Sequence, residues 1–464
     1  MSTPIIFFIF PLAISILLFL LQKKNRLVIL TGIVVCVVLA LFGYFQNFGG
    51  VLKIGALSVE IKTTLFVFGR SFILSNEDRF FLVLVYSCTA IWFIASSISV
   101  VSIRMISLGL AIVSLLTAAR AVEPFLYAAI LVEIAVIIAI PMIMNRGKPV
   151  GKGILRFLIF QTLAMPLILF GGWLLGGVQA STSDSSRQLQ AALFLGIGFS
   201  FWLAVFPFQG WVAQLTKEIH PVLSGFILGL FPVVSLLLMV DFISGLVWLR
   251  ESTFLHPVLK LVGAIMIVST GVWAVFEKDV RRMIGYTVLL ESGFALILVS
   301  MQSEIGVKIL LISLVPRLVA LVLMSFSIAI FIQNELEPTL KGLNGILRKL
   351  PFASLGLLIS LLSVVGFPLF AGFPVRLASL EQLVKIDPVI TIWVMTGIVL
   401  FFISIVRLFA SFGSPIFSNW QRGEKVNQIV FILCGIFVLT FWGVFSSLFS
   451  HSLDNIIINL PMLR

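Results

Sequence analysis

Apolar runs of about twenty residues recur along almost the whole chain, and they limit its fold more than any other feature. A transmembrane helix needs roughly 20 predominantly apolar residues to cross the hydrocarbon core of a bilayer. By that criterion we count about fourteen spans, near residues 4–21, 27–46, 79–99, 104–120, 124–145, 153–177, 189–207, 221–249, 254–276, 282–302, 305–333, 352–375, 389–411 and 427–448. The sequence therefore predicts an all-α polytopic membrane protein, with residues 1–464 forming a single integral membrane domain.

The composition excludes a soluble globular protein. Hydrophobic residues make up 60% of the 464 residues, charged residues make up 11%, and the mean hydropathy is +1.20. Soluble domains, in contrast, are about half apolar and about a quarter charged. Sequence patterns for nucleotide, zinc-protease and hydrolase sites are missing. We therefore predict no cofactor, no metal, and no redox or hydrolytic centre in this chain.

The three cysteines do not indicate a metal or iron–sulfur site. Cys36, Cys88 and Cys434 are far apart in sequence, and each lies within an apolar run. Ligand sites need paired spacings such as C-x-x-C, and none is present. We expect the three side chains to be small buried hydrophobic groups.

The formal charge of +12 indicates membrane orientation rather than a nucleic-acid partner. Lysine and arginine collect in loops on the inner side of a membrane. The segments KKNR, NRGKPVGK, EKDVRR, LRK and QRGEK fall in alternate loops of the fourteen-span count. If those loops are inside, both termini lie outside. The start, MSTPIIFFIF, lacks a basic region, so we expect a retained first helix.

Two spans are interrupted by proline and glycine. Span 7 ends in AVFPFQGW, and span 12 contains VVGFPLFAGFPVR. Paired interrupted helices predict inverted-repeat transporters with a pathway at mid-membrane. We therefore expect two inverted five-helix repeats, spans 4–8 (residues 104–249) and spans 9–13 (residues 254–411), with helices 7 and 12 broken. The candidate break or hinge residues are Pro207, Pro221, Pro368 and Pro374.

The longest segment between spans, Gly49 to Asp78, has a different pattern. Apolar and polar residues alternate over short runs in VLKIGALSVEIKTTLFVFGR. Such alternation is typical of β-strands with one exposed face. We predict a strand pair or hairpin on the outer surface.

Glu133 is a carboxylate in the middle of span 5, where charge is costly. It is either a neutral, hydrogen-bonded core acid or an element of a proton or ion relay. Arg156 lies just inside span 6. It either extends to the membrane interface or pairs with Glu133 and holds that carboxylate ionised.

Three more ionisable residues in the second predicted repeat would form a line at similar depth in the membrane. Glu291 is at mid-span, and Arg317 and Arg376 follow it along the chain. Arginine keeps its proton in proteins, so the two arginines are poor proton carriers. They either set the local potential, pair with acids or bind an anion, or they only extend to the interface.

Four segments in order resemble one family, the antiporter-like membrane subunits shared by respiratory complex I, Mrp-type cation/proton antiporters and membrane-bound hydrogenases. The similar segments are LVEIAVIIAIPMI, GFSFWLAVFPFQGW with HPVLSG, EKDVRRMIGYTVLLESGF, and KGLNGILRKLPF leading into LLSVVGFPLFAGFPVRL. The resemblance runs from about residue 79 to residue 411. It implies fourteen helices, inverted repeats over spans 4–8 and 9–13, and broken helices 7 and 12.

The resemblance also implies functional positions. Glu133 falls on the family's span-5 glutamate, and Arg156 falls on or near a span-6 lysine. Arg376 takes the position of a span-12 lysine or glutamate. Glu291 takes a site often held by histidine, and Arg317 remains from a histidine-and-lysine pair.

The chain departs from the family pattern at three positions in its first half. Trp202 replaces a lysine, Gln209 replaces a histidine, and Phe231 stands where a lysine or another polar group is usual. An indole in place of a lysine removes a proton-binding group and fills space that water would need. We therefore expect an altered proton route in this half.

These features favour an antiporter-like subunit of a complex I-like or Mrp-like assembly that takes part in proton or cation translocation. Such an assembly implies other membrane subunits and the lipid bilayer as partners, in a bacterial inner or thylakoid-type membrane. It could be a proton-translocating NADH or ferredoxin:quinone oxidoreductase. The alternatives are a non-pumping structural or adaptor subunit, and the membrane partner in an inorganic-carbon uptake complex.

Overall fold

A computed structural model describes residues 2–446, apart from 55–56, 68, 145–146, 148, 179–184, 251 and 415–422, and gives the backbone alone at 51–54, 57–59, 176–178 and 185. Helices dominate these residues. The α-helices are α1 Phe10–Leu20, α2 Asn25–Phe45, α3 Arg79–Ile98, α4 Arg104–Ala121, α5 Ala128–Ile143, α6 Lys152–Val178, α7 Ser185–Trp202, α8 Gly210–Glu218, α9 Pro221–Gly245, α10 Val247–Arg250, α11 Leu255–Phe276, α12 Arg282–Ser300, α13 Glu304–Gln333, α14 Pro351–Val365, α15 Gly372–Ile386, α16 Pro388–Phe412 and α17 Val426–Val444.

Five short strands accompany the helices. They are β1 Val51–Ile54, β2 Leu57–Glu60, β3 Thr64–Val67, β4 Arg70–Ile73 and β5 Val122–Glu123. β1 pairs with β2, and β3 with β4, in antiparallel hairpins, and β5 adds to the free side of β4. The hairpin prediction for this segment is confirmed.

The protein is a multi-pass integral membrane protein. Within the described residues, 11 helices are long and apolar enough to cross a membrane, and Ile5–Leu20 and Pro351–Val365 are shorter apolar helices. This criterion does not confirm a count of fourteen. One reason is that predicted spans 7 and 12 are not continuous helices, because a helix ends within each of them.

The chain leaves the helical conformation at both predicted breaks. α7 ends at Trp202 and α8 begins at Gly210, with Pro207 between them. α14 ends at Val365, and α15 begins at Gly372 with Pro368 between them. Proline lacks the N–H that a helix interior needs, so it favours an interruption, although Pro141, Pro166, Pro232 and Pro316 lie within helices of the same chain.

The other two candidate hinge prolines lie where helices start. Pro221 is the first residue of α9, and Pro374 is in the first turn of α15. The missing N–H costs little there, because the first helical N–H groups have no partner within the helix. A hinge role for any of these prolines stays a prediction.

Two glycines shape the second break. Gly366 follows α14 with φ 86°, a left-handed conformation that glycine adopts without the steric cost of a side chain. At Gly372, an added Cβ would collide with the carbonyl group of Ser363. The chain can therefore double back closely enough for the start of α15 to contact the end of α14.

The contacts divide the chain into two compact units, Met1–Leu203 with Leu237–Met239, and Ala204–Leu236 with Val240–Arg464. In the first, α6 packs on α7 and α4 on α5. In the second, α11 packs between α12 and α16, and α13 packs on α14. The apolar α12 is buried along its whole length, which places Glu291 inside the second unit. The two-repeat organisation stays a prediction.

The burial prediction is correct for two cysteines and wrong for one. Cys36 and Cys88 are buried, whereas Cys434 is exposed on α17. An apolar side chain on a membrane helix can face lipid as readily as a neighbouring helix, so an apolar run does not distinguish the two environments.

Candidate ion-translocation site

Glu133 lies near the middle of the apolar span Phe125–Ile143 and is 8% exposed. Its Oε1 accepts a hydrogen bond of 2.8 Å from the Thr162 hydroxyl of α6. Its Oε2 is buried and has no hydrogen-bond partner among the described residues. A buried polar atom without a partner is costly, so this oxygen is unusual for a purely structural side chain.

The structure does not bring Arg156 to Glu133. Arg156 is exposed near the start of α6, and no ion pair joins these two described residues. Thr162 takes the place that we expected for Arg156. The position near a helix end agrees with the alternative in which Arg156 extends to the interface.

Trp202 is the last residue of α7. Its side chain is 2% exposed, and its ring lies edge-on to Phe199 with 5.6 Å between centroids. Its carbonyl belongs to the last helical turn, where carbonyl groups lack partners within the helix. Gln161 of α6 donates its Nε2 to that carbonyl at 3.4 Å, and its own Oε1 is buried without a partner. Both groups of this contact, the amide and the carbonyl, are neutral.

Sequence reasoning missed Gln161 and Thr162. They are adjacent polar residues in the apolar stretch LRFLIFQTLAMPLIL, and that signal was available. Polar side chains within a membrane helix usually mark a contact or a functional site. Here they serve different partners, since Thr162 binds Glu133 and Gln161 binds the Trp202 carbonyl.

Gln209 lines a cavity of about 460 Å³ in the second unit. Its Nε2 donates to the Ser269 hydroxyl at 3.0 Å, while its Oε1 and the hydroxyl of Thr270 are buried without partners. Gln209 and Thr270 therefore bring polar side chains to a cavity that apolar residues also line. Phe231, in contrast, is 2% exposed within α9 and fills apolar space.

Glu277 lies at another part of the same cavity. Its Oε2 accepts from Arg282 at 3.0 Å and from the Tyr286 hydroxyl at 3.1 Å. Burial raises the pKa of Glu277, but hydrogen bonds from the backbone N–H groups of Asp279 and Lys278, together with Arg282, outweigh it and leave the pKa below its usual range. The carboxylate therefore stays ionised at neutral pH.

A cluster of buried charged residues, which we call the second cluster, surrounds Glu291 in the second unit. Arg376 donates its Nη2 to Glu291 Oε1 in a buried ion pair, and its Nε donates to the Val364 carbonyl at 3.0 Å. The Phe294 ring lies under the guanidinium, with 3.7 Å from Cζ to the ring centroid. Val364 is in the last turn of α14, so Arg376 satisfies a carbonyl that the helix break leaves unpaired.

Arg317 completes this cluster. Its Nη2 donates to the Ser292 hydroxyl at 3.2 Å, and its Nε is buried without a partner. A small cavity with room for about one water molecule lies between Glu291, Arg317 and Arg376. The structure thus brings together the three charged residues of the second half that the sequence singled out.

A family comparison and a comparison with curated proteins both find relatives. Residues 159–404 match the model of a family described as NADH:quinone oxidoreductase/Mrp antiporter, TM. NADH-quinone oxidoreductase subunit N of Pelobacter propionicus is 23% identical over 247 residues, which cover 50% of this chain and 51% of that protein. The chain spans about half the length of the curated relatives that it matches.

Solved structures show the same fold over nearly the whole chain. A chain in the structure of the Mrp complex from Dietzia sp. DQ12-45-1b has a TM-score of 0.83 at 15% identity, covering 99% of this chain and 97% of that chain. A chain of respiratory complex I from Thermus thermophilus has a TM-score of 0.70 at 19% identity, covering 98% and 97%. At these identities the similarity shows a shared fold.

Proposed function

We propose a function from one premise: the chain belongs to the NADH:quinone oxidoreductase/Mrp antiporter family, whose model matches more than half of its length. The resemblance predicted from the sequence is thereby confirmed. In our proposal the protein is an antiporter-like integral subunit of a complex I-like or Mrp-like assembly. It takes part in moving protons or cations across the membrane.

The observation that carries this proposal is the environment of Glu133. The carboxyl group is buried near the middle of a membrane span, has one neutral donor in Thr162, and has one oxygen without a partner. A structural acid would be expected to have both oxygens satisfied. A relay acid must accept and release a proton. The Glu133 oxygen without a partner, in a group whose other oxygen contacts a neutral hydroxyl, can be protonated or deprotonated.

The proposal is tested with Glu133→Gln in the intact assembly reconstituted in proteoliposomes. Glutamine keeps the size and polarity of the side chain but cannot carry a proton, so we expect ion-coupled flux to be lost at unchanged expression. Glu381→Gln is the matched control, because it makes the same change at a side chain that is 60% exposed. Unchanged flux in Glu133→Gln would refute the relay role.

A second candidate, a non-pumping structural or adaptor subunit, is favoured by the end of α7. The buried Trp202 indole and the neutral Gln161 contact occupy a position where the family resemblance implies a lysine. The same flux measurement separates the two candidates. A scaffold would tolerate Glu133→Gln with normal flux and normal assembly.

The partners in this proposal are other membrane subunits, and the redox chemistry, if the assembly has any, belongs to them. Both termini lie on the outer side, with the basic loops inside, and residues 104–249 and 254–411 form the inverted repeats. Purification in mild detergent followed by identification of the co-purifying subunits tests the choice of assembly. A quinone-reductase or hydrogenase subunit would indicate a redox-driven complex, and small antiporter subunits would indicate an Mrp-type one.

A further inference from the structure

The buried cluster around Glu291 carries more positive than negative charge. Arg317 and Arg376 are each 4% exposed, and Glu291 is 7% exposed. Arginine keeps its proton in proteins, so both guanidinium charges are permanent. Two positive charges against one carboxylate leave a net charge of +1 in the cluster. An uncompensated charge inside a membrane protein is costly, which calls for a counter-ion.

Glu291 cannot serve both arginines equally. Its Oε1 accepts from Arg376, which also binds the Val364 carbonyl and lies over the Phe294 ring. These contacts hold the Arg376 guanidinium in place at the end of α14. Glu291 is therefore the ion-pair partner of Arg376.

Arg317 has no comparable partner. Its Nη2 donates to a neutral hydroxyl, that of Ser292, and its Nε is buried without a hydrogen bond. Among the residues that the structure describes, Glu291 is the acid that acts electrostatically on Arg317, and Arg376 opposes it. A permanent charge with an unused donor thus borders the small cavity.

The cavity has the size and lining of a small anion site. It has room for about one water molecule, which is too small for a polyatomic anion such as sulfate. Ser313 and Ser363 line it, as do Val364 at the end of α14 and Gly372 at the start of α15. The Ser363 hydroxyl accepts from the Gly372 N–H at 3.3 Å, which leaves its O–H as a donor for an anion.

We propose that this cavity binds one small monatomic anion, such as chloride, as the counter-ion of Arg317. The inference goes beyond the proposed function, because it concerns a ligand of the second unit and needs no ion movement through Glu133. The bound anion makes the cluster electrically neutral, with one negative charge from Glu291 and one from the ion.

The direct test is equilibrium binding of radioactive chloride to the full-length chain, purified in detergent. We expect saturable binding of one chloride per chain that bromide displaces and gluconate does not. Arg317→Gln removes the charge and should abolish this binding. Arg281→Gln is the matched control, because it removes a guanidinium that pairs with Asp279 away from the cavity, and it should bind chloride normally.

Thermal unfolding of the unmutated chain gives a second readout that needs no variant. Replacing gluconate by chloride at constant ionic strength should raise the midpoint saturably, by about 2 °C when chloride is several-fold above its Kd. Absence of saturable chloride binding to the unmutated chain would overturn the proposal. Equal binding by a folded Arg317→Gln protein would overturn it as well.

Discussion

The helices that end at the two breaks, α7 and α14, differ in the charge of the group that binds a carbonyl in their last turn. At the end of α7, the Trp202 carbonyl accepts from the neutral amide of Gln161, and the indole is buried. At the end of α14, the Val364 carbonyl accepts from the guanidinium of Arg376, which also forms an ion pair with Glu291. The same backbone problem, unpaired carbonyl groups at a helix end inside a membrane, is solved by a neutral donor in one place and by a cation in the other.

The difference indicates where a proton can move and where charge is fixed. Arginine does not release a proton, so the break after α14 keeps a permanent positive charge. Among the described residues, no charged side chain binds the Trp202 carbonyl at the end of α7, and the buried acid Glu133 contacts a neutral hydroxyl. In our account, the first unit holds the exchangeable proton and the second sets a fixed potential.

The largest expected effect comes from Arg376→Gln, which removes the cation from the second break. The change leaves the Glu291 carboxylate buried without its partner, so we expect a loss of about 3–5 kcal/mol in the free energy of unfolding. Denaturant unfolding of the chain in detergent measures it. Arg281→Gln, at a partly exposed ion pair, should cost less than about 1 kcal/mol. Similar costs for Arg376→Gln and Arg281→Gln would contradict the claim that a buried ion pair stabilises the second break.

Trp202→Lys restores a titratable group to the first break and removes a bulky ring. We expect the proton leak or the coupled flux to rise severalfold, because a smaller, charged side chain opens space for water. A pH-sensitive dye in proteoliposomes measures this flux. Trp273→Lys, at an exposed tryptophan of α11, is the control. No change in a normally folded Trp202→Lys protein would mean that the route avoids this position.

Gln161→Leu removes the neutral donor from the first break. The Trp202 carbonyl then loses one long hydrogen bond, and we expect a cost of about 1 kcal/mol in the free energy of unfolding. We expect this cost to be clearly smaller than the cost of Arg376→Gln. The difference between the two costs measures the contrast between the neutral donor at α7 and the cation at α14. Equal costs would show that the two helix ends depend on their donors to the same degree.

The smallest effect concerns Glu277, outside both breaks. Its pKa lies below the usual range, so its contribution to stability is present above about pH 4.3 and is lost as the pH falls through the lowered pKa. Unfolding measured at neutral and at acidic pH should show a weaker acid destabilisation in Glu277→Gln than in the unmutated chain. Glu337→Gln, at an exposed residue, should behave as the unmutated chain does.

The sequence was sufficient for the all-helical membrane fold and for the residues of the second cluster. Apolar runs indicated the membrane helices, although 11 of the described helices, and not fourteen, meet the length and hydropathy criterion. Proline with glycine located both breaks, because backbone chemistry favours an interruption there. Glu291, Arg317 and Arg376 could be grouped because the sequence places these three charges in or beside apolar spans of the second half. Their similar predicted depth made pairing between an arginine and the acid plausible.

The pairing of Glu133 could not be read from the sequence. Arg156 and Thr162 lie on the same helix, but six residues separate them by about 9 Å along its axis and by about 120° around it. Only the packing of α5 on α6 decides which one meets the carboxyl group. Opposite charge suggested Arg156, and the structure places the hydroxyl of Thr162 there instead.

The most direct test of the central contrast is infrared difference spectroscopy of the reconstituted chain through hydrogen–deuterium exchange. Our account predicts a protonated-carboxyl C=O band that shifts on exchange, loses the intensity of one carboxyl group in Glu133→Gln and is unchanged when the exposed Glu381 is replaced by glutamine. Glu291, which is ion-paired with Arg376, should contribute no such band. A spectrum in which the band survives unchanged in Glu133→Gln would contradict the assignment of the exchangeable proton to the first unit.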